Sequence, residues 1–111
     1  MHSFEINGKR YNSVPMDLNN ICTLEEMGVP IDSIGKMQFS YVRAYFAVCA
    51  RMSIEEAGKE LENHMIVGGN WDGLVEVMNL EREESNFFRT LMQRAEESNA
   101  EKTEEKSEKK K

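Results

Sequence analysis

The chain is short of the residues that most often carry chemistry or covalent staples: of 111 positions, two are cysteine, two histidine, two proline and one tryptophan. Two cysteines do not make a stapled secreted scaffold. Cys22 and Cys49 both fall inside apolar helical patterns, where a reduced thiol behaves as a small hydrophobe. No run of eighteen apolar residues occurs, and the first residues show no basic stretch leading into an apolar one. The sequence therefore predicts neither a membrane span nor a secretory leader, and a cytosolic protein is expected. An excess of positive charge is missing too. Fourteen Lys and Arg stand against twenty Asp and Glu, a net charge of −6. That balance disfavours nucleic acid or an anionic membrane as the main partner and favours a basic or mixed-charge protein surface.

The search for reaction chemistry returns little. His2 lies beside the N-terminus, and His64 has no histidine or cysteine one helical turn away to complete a metal pair. Neither cysteine has an activating base or a glycine-rich oxyanion turn nearby in sequence. Gly68-Gly69 lacks both the preceding strand and the following Lys-Ser/Thr of a phosphate-binding loop. Glu25-Glu26, Glu55-Glu56 and Glu83-Glu84 are neighbours on helices and so point in different directions, as solvated surface does. The expectation is a protein that is not an enzyme, with no catalytic residue, cofactor or metal.

What is present is an ordered series of structural signals. Asn7-Gly8, at the centre of Ser3 to Tyr11, supplies the two positive-φ residues of a type I′ turn. This predicts a hairpin in which Ile6 faces Lys9, Glu5 faces Arg10 and Phe4 faces Tyr11. A lone hairpin is marginal in water, so its Phe4/Ile6/Tyr11 face must lie on the helices that follow. After Pro15, Asp17 can cap a helix carrying Leu18, Ile21, Cys22, Leu24 and Met27 at helical spacing, and Gly28 stops it. Ile31 to Gly35 reads as loop or one helical turn. From Gln38 to Met52 the positions Phe39, Val42, Tyr45, Phe46, Cys49 and Met52 step by three and four, marking the most apolar and hence central helix. Ser53-Ile54-Glu55-Glu56 has the form of a capping box, opening a helix with Ile54, Ala57, Leu61 and Met65 inward.

Gly68-Gly69-Asn70 ends that helix, and Leu74, Val77 and Met78 continue the apolar face beyond Trp71. Glu81 to Asn86 offers no apolar residue, and then Phe87, Phe88, Leu91, Met92 and Ala95 resume. Either one long helix carries two apolar patches, or the chain breaks near Ser85-Asn86. From Glu96 onward there is nothing to bury. The predicted fold is α+β, mainly α, with one globular domain over residues 1–95. A β-hairpin (3–14) packs on a bundle of about four helices (17–27, 38–52, 54–67 and 71–96), and residues 96–111 form a disordered charged tail.

Eight methionines, among them Met37, Met52, Met65, Met78 and Met92, recur on the apolar sides of these helices and read as a forgiving core. The Phe87/Phe88/Leu91/Met92 patch is separated from that core by polar residues. It is a partner-binding candidate or a homo-oligomer contact, set against ordinary burial. Trp71 is a further candidate for the same role.

Taken together, these segments resemble the small tail assembly chaperones of long-tailed bacteriophages and prophages. The shared pattern is the opening FEINGKRY hairpin, a DLNNICTLEEMG helix, the central YVRAYFAVCARM helix, the SIEEAGKEL helix and a charge-rich C-terminal tail, covering nearly the whole chain. Gly68-Gly69-Asn70-Trp71 departs from the pattern. The resemblance implies a non-enzymatic protein of the bacterial host cytoplasm. It would bind the tape measure protein, keep that long helical chain soluble and promote tail tube assembly, with the tail tube protein as a further candidate partner. It also implies a longer product made by programmed frameshifting. The A-rich codons of Lys109-Lys110-Lys111 are where slippage is expected, and an interrupted A run with no overlapping downstream frame in the gene would exclude it. A different class of function also fits the charge: a small acidic adaptor or inhibitor, antitoxin-like or a nucleic-acid mimic. It would present Glu55, Glu56, Glu60, Glu62, Glu81, Glu83 and Glu84 to a basic surface.

Overall fold

The computed structural model describes residues 2–33 and 35–95. Two strands, β1 (Ser3–Ile6) and β2 (Lys9–Asn12), open the chain. Their antiparallel register pairs Phe4 with Tyr11, Glu5 with Arg10 and Ile6 with Lys9. Asn7 at φ 53° and Gly8 at φ 76° make the expected turn. Phe4 and Ile6 are buried. Tyr11 stacks on Phe4 at 5.8 Å between ring centroids and meets Phe46 edge-on at 5.0 Å. Sealing the hairpin this way removes large apolar side chains from water, each worth about 1.5–3 kcal/mol.

The chain then runs through α1 (Leu18–Glu26), α2 (Gln38–Ala50), α3 (Ile54–Ile66) and α4 (Asp72–Glu84). Asp17 caps α1 by accepting from the Asn20 amide, and Gly28, at φ 92°, turns the chain away after it. Ile31–Ser33 is a single 3₁₀ turn. α2 ends at Arg51 in the left-handed region, φ 57°. The Ser53 hydroxyl accepts from the Glu56 amide at 3.1 Å, so the serine half of the capping box forms. β1 lies against α4 and α3, β2 lies against α2, and α2 also contacts α1, α3 and α4. The α2 residues Tyr41, Val42, Ala44, Tyr45, Phe46 and Ala47 are buried, which makes it the central helix.

Several expectations need correction. The span 71–96 is not one helix. α4 closes at Ser85, whose ψ of 116° is extended, and residues 86–95 are helical again, here termed α5. Ser85 holds the break by donating its hydroxyl to the Met16 carbonyl (2.6 Å) and accepting from the Phe88 amide (3.0 Å), so it caps α5. Cys22 is exposed instead of inward. Phe39, read as part of the central apolar face, is 75 % exposed. Met37 and Met65 are also at the surface, because α2 begins, and α3 ends, beyond the elements that would cover them. The proposed disordered tail and the lysines at 109–111 lie outside the described residues.

Candidate functional site

The sequence candidates separate into two places. Phe88 and Met92 line a surface groove of about 510 Å³ with Asn79, Arg82, Glu83 and Arg89. Met92 is half exposed, and Phe87, Phe88 and Leu91 are partly buried. Phe88 also closes a small apolar crevice with Met16, Ile21, Leu24 and Tyr41, so one ring serves both the core and the groove. Neither Phe87 nor Leu91 lines that groove. Trp71 belongs to a second groove of about 360 Å³ and does not share the first, facing Phe39, Met65, Arg43 and Glu62. The Phe39 and Trp71 rings lie 5.5 Å apart at 44°. Close by in sequence, at the end of α3, Ile66 and Val67 are 72 % and 78 % exposed. The sequence reading missed Phe39 and Met65 here, because helical spacing registers a shared face and not where covering neighbours stop.

The loop that carries Trp71 is built tightly. Gly68 takes φ 97°, ending α3. A Cβ on Gly69 would lie 2.7 Å from the His64 carbonyl oxygen and 2.6 Å from its ring, so only glycine fits without a shift. Asn70 Oδ1 accepts from the Asp72 amide at 3.1 Å, starting α4. The Gly-Gly-Asn-Trp segment therefore has a physical role, presenting Trp71 at the mouth of the groove.

His64 holds this loop to the hairpin. Its Nδ1 accepts from the Asn7 amide (3.1 Å) and its Nε2 donates to the Asn70 carbonyl (2.8 Å), which assigns the neutral Nε2–H tautomer. Asn7 Nδ2 donates in addition to the Glu60 carbonyl and carboxylate, at 2.8 and 2.9 Å. Both nitrogens of His64 are thus committed to structure. Cys49 is partly buried, and burial above all pushes its thiol up to about 11, the reverse of an activated nucleophile. Burial likewise raises Tyr45, whose hydroxyl donates to the Val14 carbonyl (2.7 Å) and accepts from the Val14 amide (3.2 Å).

One three-residue group among the described residues has the spacing of a metal-ligand set. His2, Glu81 and Glu84 bring their ligand atoms within 4.8 Å of one another. Their contacts are those of a clasp. His2 Nε2 meets Glu84 at 2.9 Å, and buried Glu81 accepts from the Ser13 hydroxyl. Ser13 in turn exchanges backbone and side-chain bonds with His2 (2.8 and 2.9 Å). Separations of about eighty residues hid this from the sequence. Four carboxylates of the acidic-adaptor reading are engaged within the protein: Glu55 with Lys59, Glu60 with Asn7, Glu81 with Ser13 and Glu84 with His2. No described helix is long and apolar enough to cross a membrane.

No family model matches the chain, and no curated protein or solved structure matches it.

Proposed function

We propose that this protein is a non-enzymatic tail assembly chaperone of the phage and prophage type, binding the tape measure protein in the bacterial host cytoplasm and promoting tail tube assembly. The observation that carries the reading is the concentration of exposed apolar side chains. Phe39, Met65 and Trp71 form one apolar mouth, and Phe88 with Met92 forms another. Both belong to a chain of net charge −6, a balance that favours keeping such a surface in solution. Apolar grooves of this kind receive amphipathic helices, and a tape measure protein is a long helical chain. The acidic body alone would serve an electrostatic adaptor equally well, but an adaptor has no use for a 75 % exposed phenylalanine beside a tryptophan.

The test is co-expression with the tape measure protein encoded in the same genome, followed by co-purification. Phe39→Ser with Met92→Ser should abolish recovery of the partner while far-UV circular dichroism stays unchanged, since both side chains lie at the surface. Full recovery by that variant would sink the proposal. Salt separates the two classes of function: a complex lost between low and moderate ionic strength would favour the adaptor.

A further inference from the structure

The two apolar mouths each adjoin a common depression. Between them lies a third depression of about 480 Å³, whose lining includes Trp71, Asp72, Glu76, Asn79, Leu80 and Glu83. Trp71 is common to this depression and the Phe39/Met65 groove. Asn79 and Glu83 are common to it and the Phe88/Met92 groove. The α4 residues involved, 72, 75, 76, 79, 80 and 83, repeat at three and four and so form one stripe, distinct from the buried stripe of Leu74, Val77, Met78 and Glu81. α4 therefore uses one face for the core and leaves a second, half-covered face along which adjoining depressions form a trough. Its thirteen residues run about 20 Å, the length of several turns of a facing helix.

Charge is not uniform along the trough. The central part carries the carboxylates of Asp72, Glu76 and Glu83 and no cation. Each end mixes the two signs on apolar surface: Arg43 with Glu62 beside Phe39 and Trp71, and Arg82 and Arg89 with Glu83 beside Phe88 and Met92. We infer that the outer face of α4 binds a single partner helix along its length, one whose apolar side chains lie at both ends and whose middle turns are basic. The inference rests on the chaperone reading for the identity of the partner, and it adds the pattern by which that partner is recognised. Apolar ends supply the contact area, and the acidic centre sets register and rejects helices with acidic middles. One helix filling both mouths would engage Trp71 and Phe88 together, although the fold holds them in separate grooves.

The single tryptophan of the chain is the reporter, because Trp71 lines two of the three segments. Two synthetic helical peptides serve as probes, with leucines at both ends and either lysines or glutamates in the middle turns. The full-length protein should bind the lysine-centred peptide at least about tenfold tighter than the glutamate-centred one, with a shift in Trp71 emission. Glu76→Lys with Glu83→Lys, both exposed positions, should reverse that preference without changing helical content. Equal affinity for the two peptides overturns the inference, as does a preference that survives the charge reversal. So does a concentration-dependent Trp71 shift in the absence of peptide, which would assign the trough to a second copy of this chain. The tape measure co-purification distinguishes the two levels. Undiminished recovery with the charge-reversed variant refutes the trough and leaves the chaperone reading standing. Peptide discrimination by a protein that never recovers the tape measure protein refutes the chaperone reading alone.

Discussion

Phe39 and Phe46 stand seven residues apart on α2, close to two full turns and so on nearly the same face, yet Phe46 is fully buried and Phe39 is 75 % exposed. Phe46 has Phe4 and Tyr11 of the hairpin against it. Phe39, near the start of the helix, has the Trp71 ring beside it, from a loop at the surface, and faces an open groove. The same residue type in the same register is thus core at one end and candidate binding surface at the other. What differs is which elements arrive to cover it. The hairpin comes back over the C-terminal half of α2, while nothing among the described residues covers the N-terminal mouth.

Substitutions along this axis should separate the two roles. The largest effect is expected at Phe46→Ala, which removes the ring that both hairpin aromatics contact. A loss of about 3–5 kcal/mol in chemical denaturation would follow, enough to unfold much of a small domain. Gly69→Ala comes next, at about 1–3 kcal/mol, because the added methyl meets the His64 backbone and loosens the loop that presents Trp71. Asn7→Gly keeps a turn that accepts positive φ but deletes the side-chain bonds to Glu60. About 1 kcal/mol should be lost, with the hairpin register preserved by NMR. Phe39→Ser should change stability by less than about 0.5 kcal/mol. A large destabilisation there would erase the distinction between the two phenylalanines.

The cysteines offer the same contrast in reactivity. Cys22 is exposed, whereas the Cys49 thiol is held up to about 11 by burial. One thiol should react with a disulfide reagent in the native protein at pH 8 and two in denaturant. The sign of the linked stability follows. The folded state prefers the protonated thiol, so stability is whole below the unfolded value of about 8.5. It falls as pH rises towards about 11. Tyr45, raised in the same direction, adds to this alkaline loss, and Cys49→Ala should shallow the pH profile.

Local chemistry made much of this fold legible. Asn7-Gly8 determined the hairpin register residue by residue, and Asp17, Gly28 and Ser53 marked helix ends through caps that act within one turn. Ser85 was readable as one of two alternatives, since a serine can cap a helix whose start it interrupts, but its bond to the Met16 carbonyl decided the matter from 69 residues away. The His2–Glu84 clasp and the His64 staple depend on pairings across most of the chain, which periodicity does not encode. The candidate site was half legible. Trp71, Phe88 and Met92 line grooves, whereas Phe39 and Met65 were assigned inward because counting turns says nothing about where a neighbouring element ends.

Hydrogen–deuterium exchange on the complex with the tape measure protein tests the central claim most directly. Binding along α4 predicts new protection in residues 71–83 and 86–92 and at the start of α2, with residues 3–12 unchanged. Protection confined to the hairpin, or no complex at all, would contradict it.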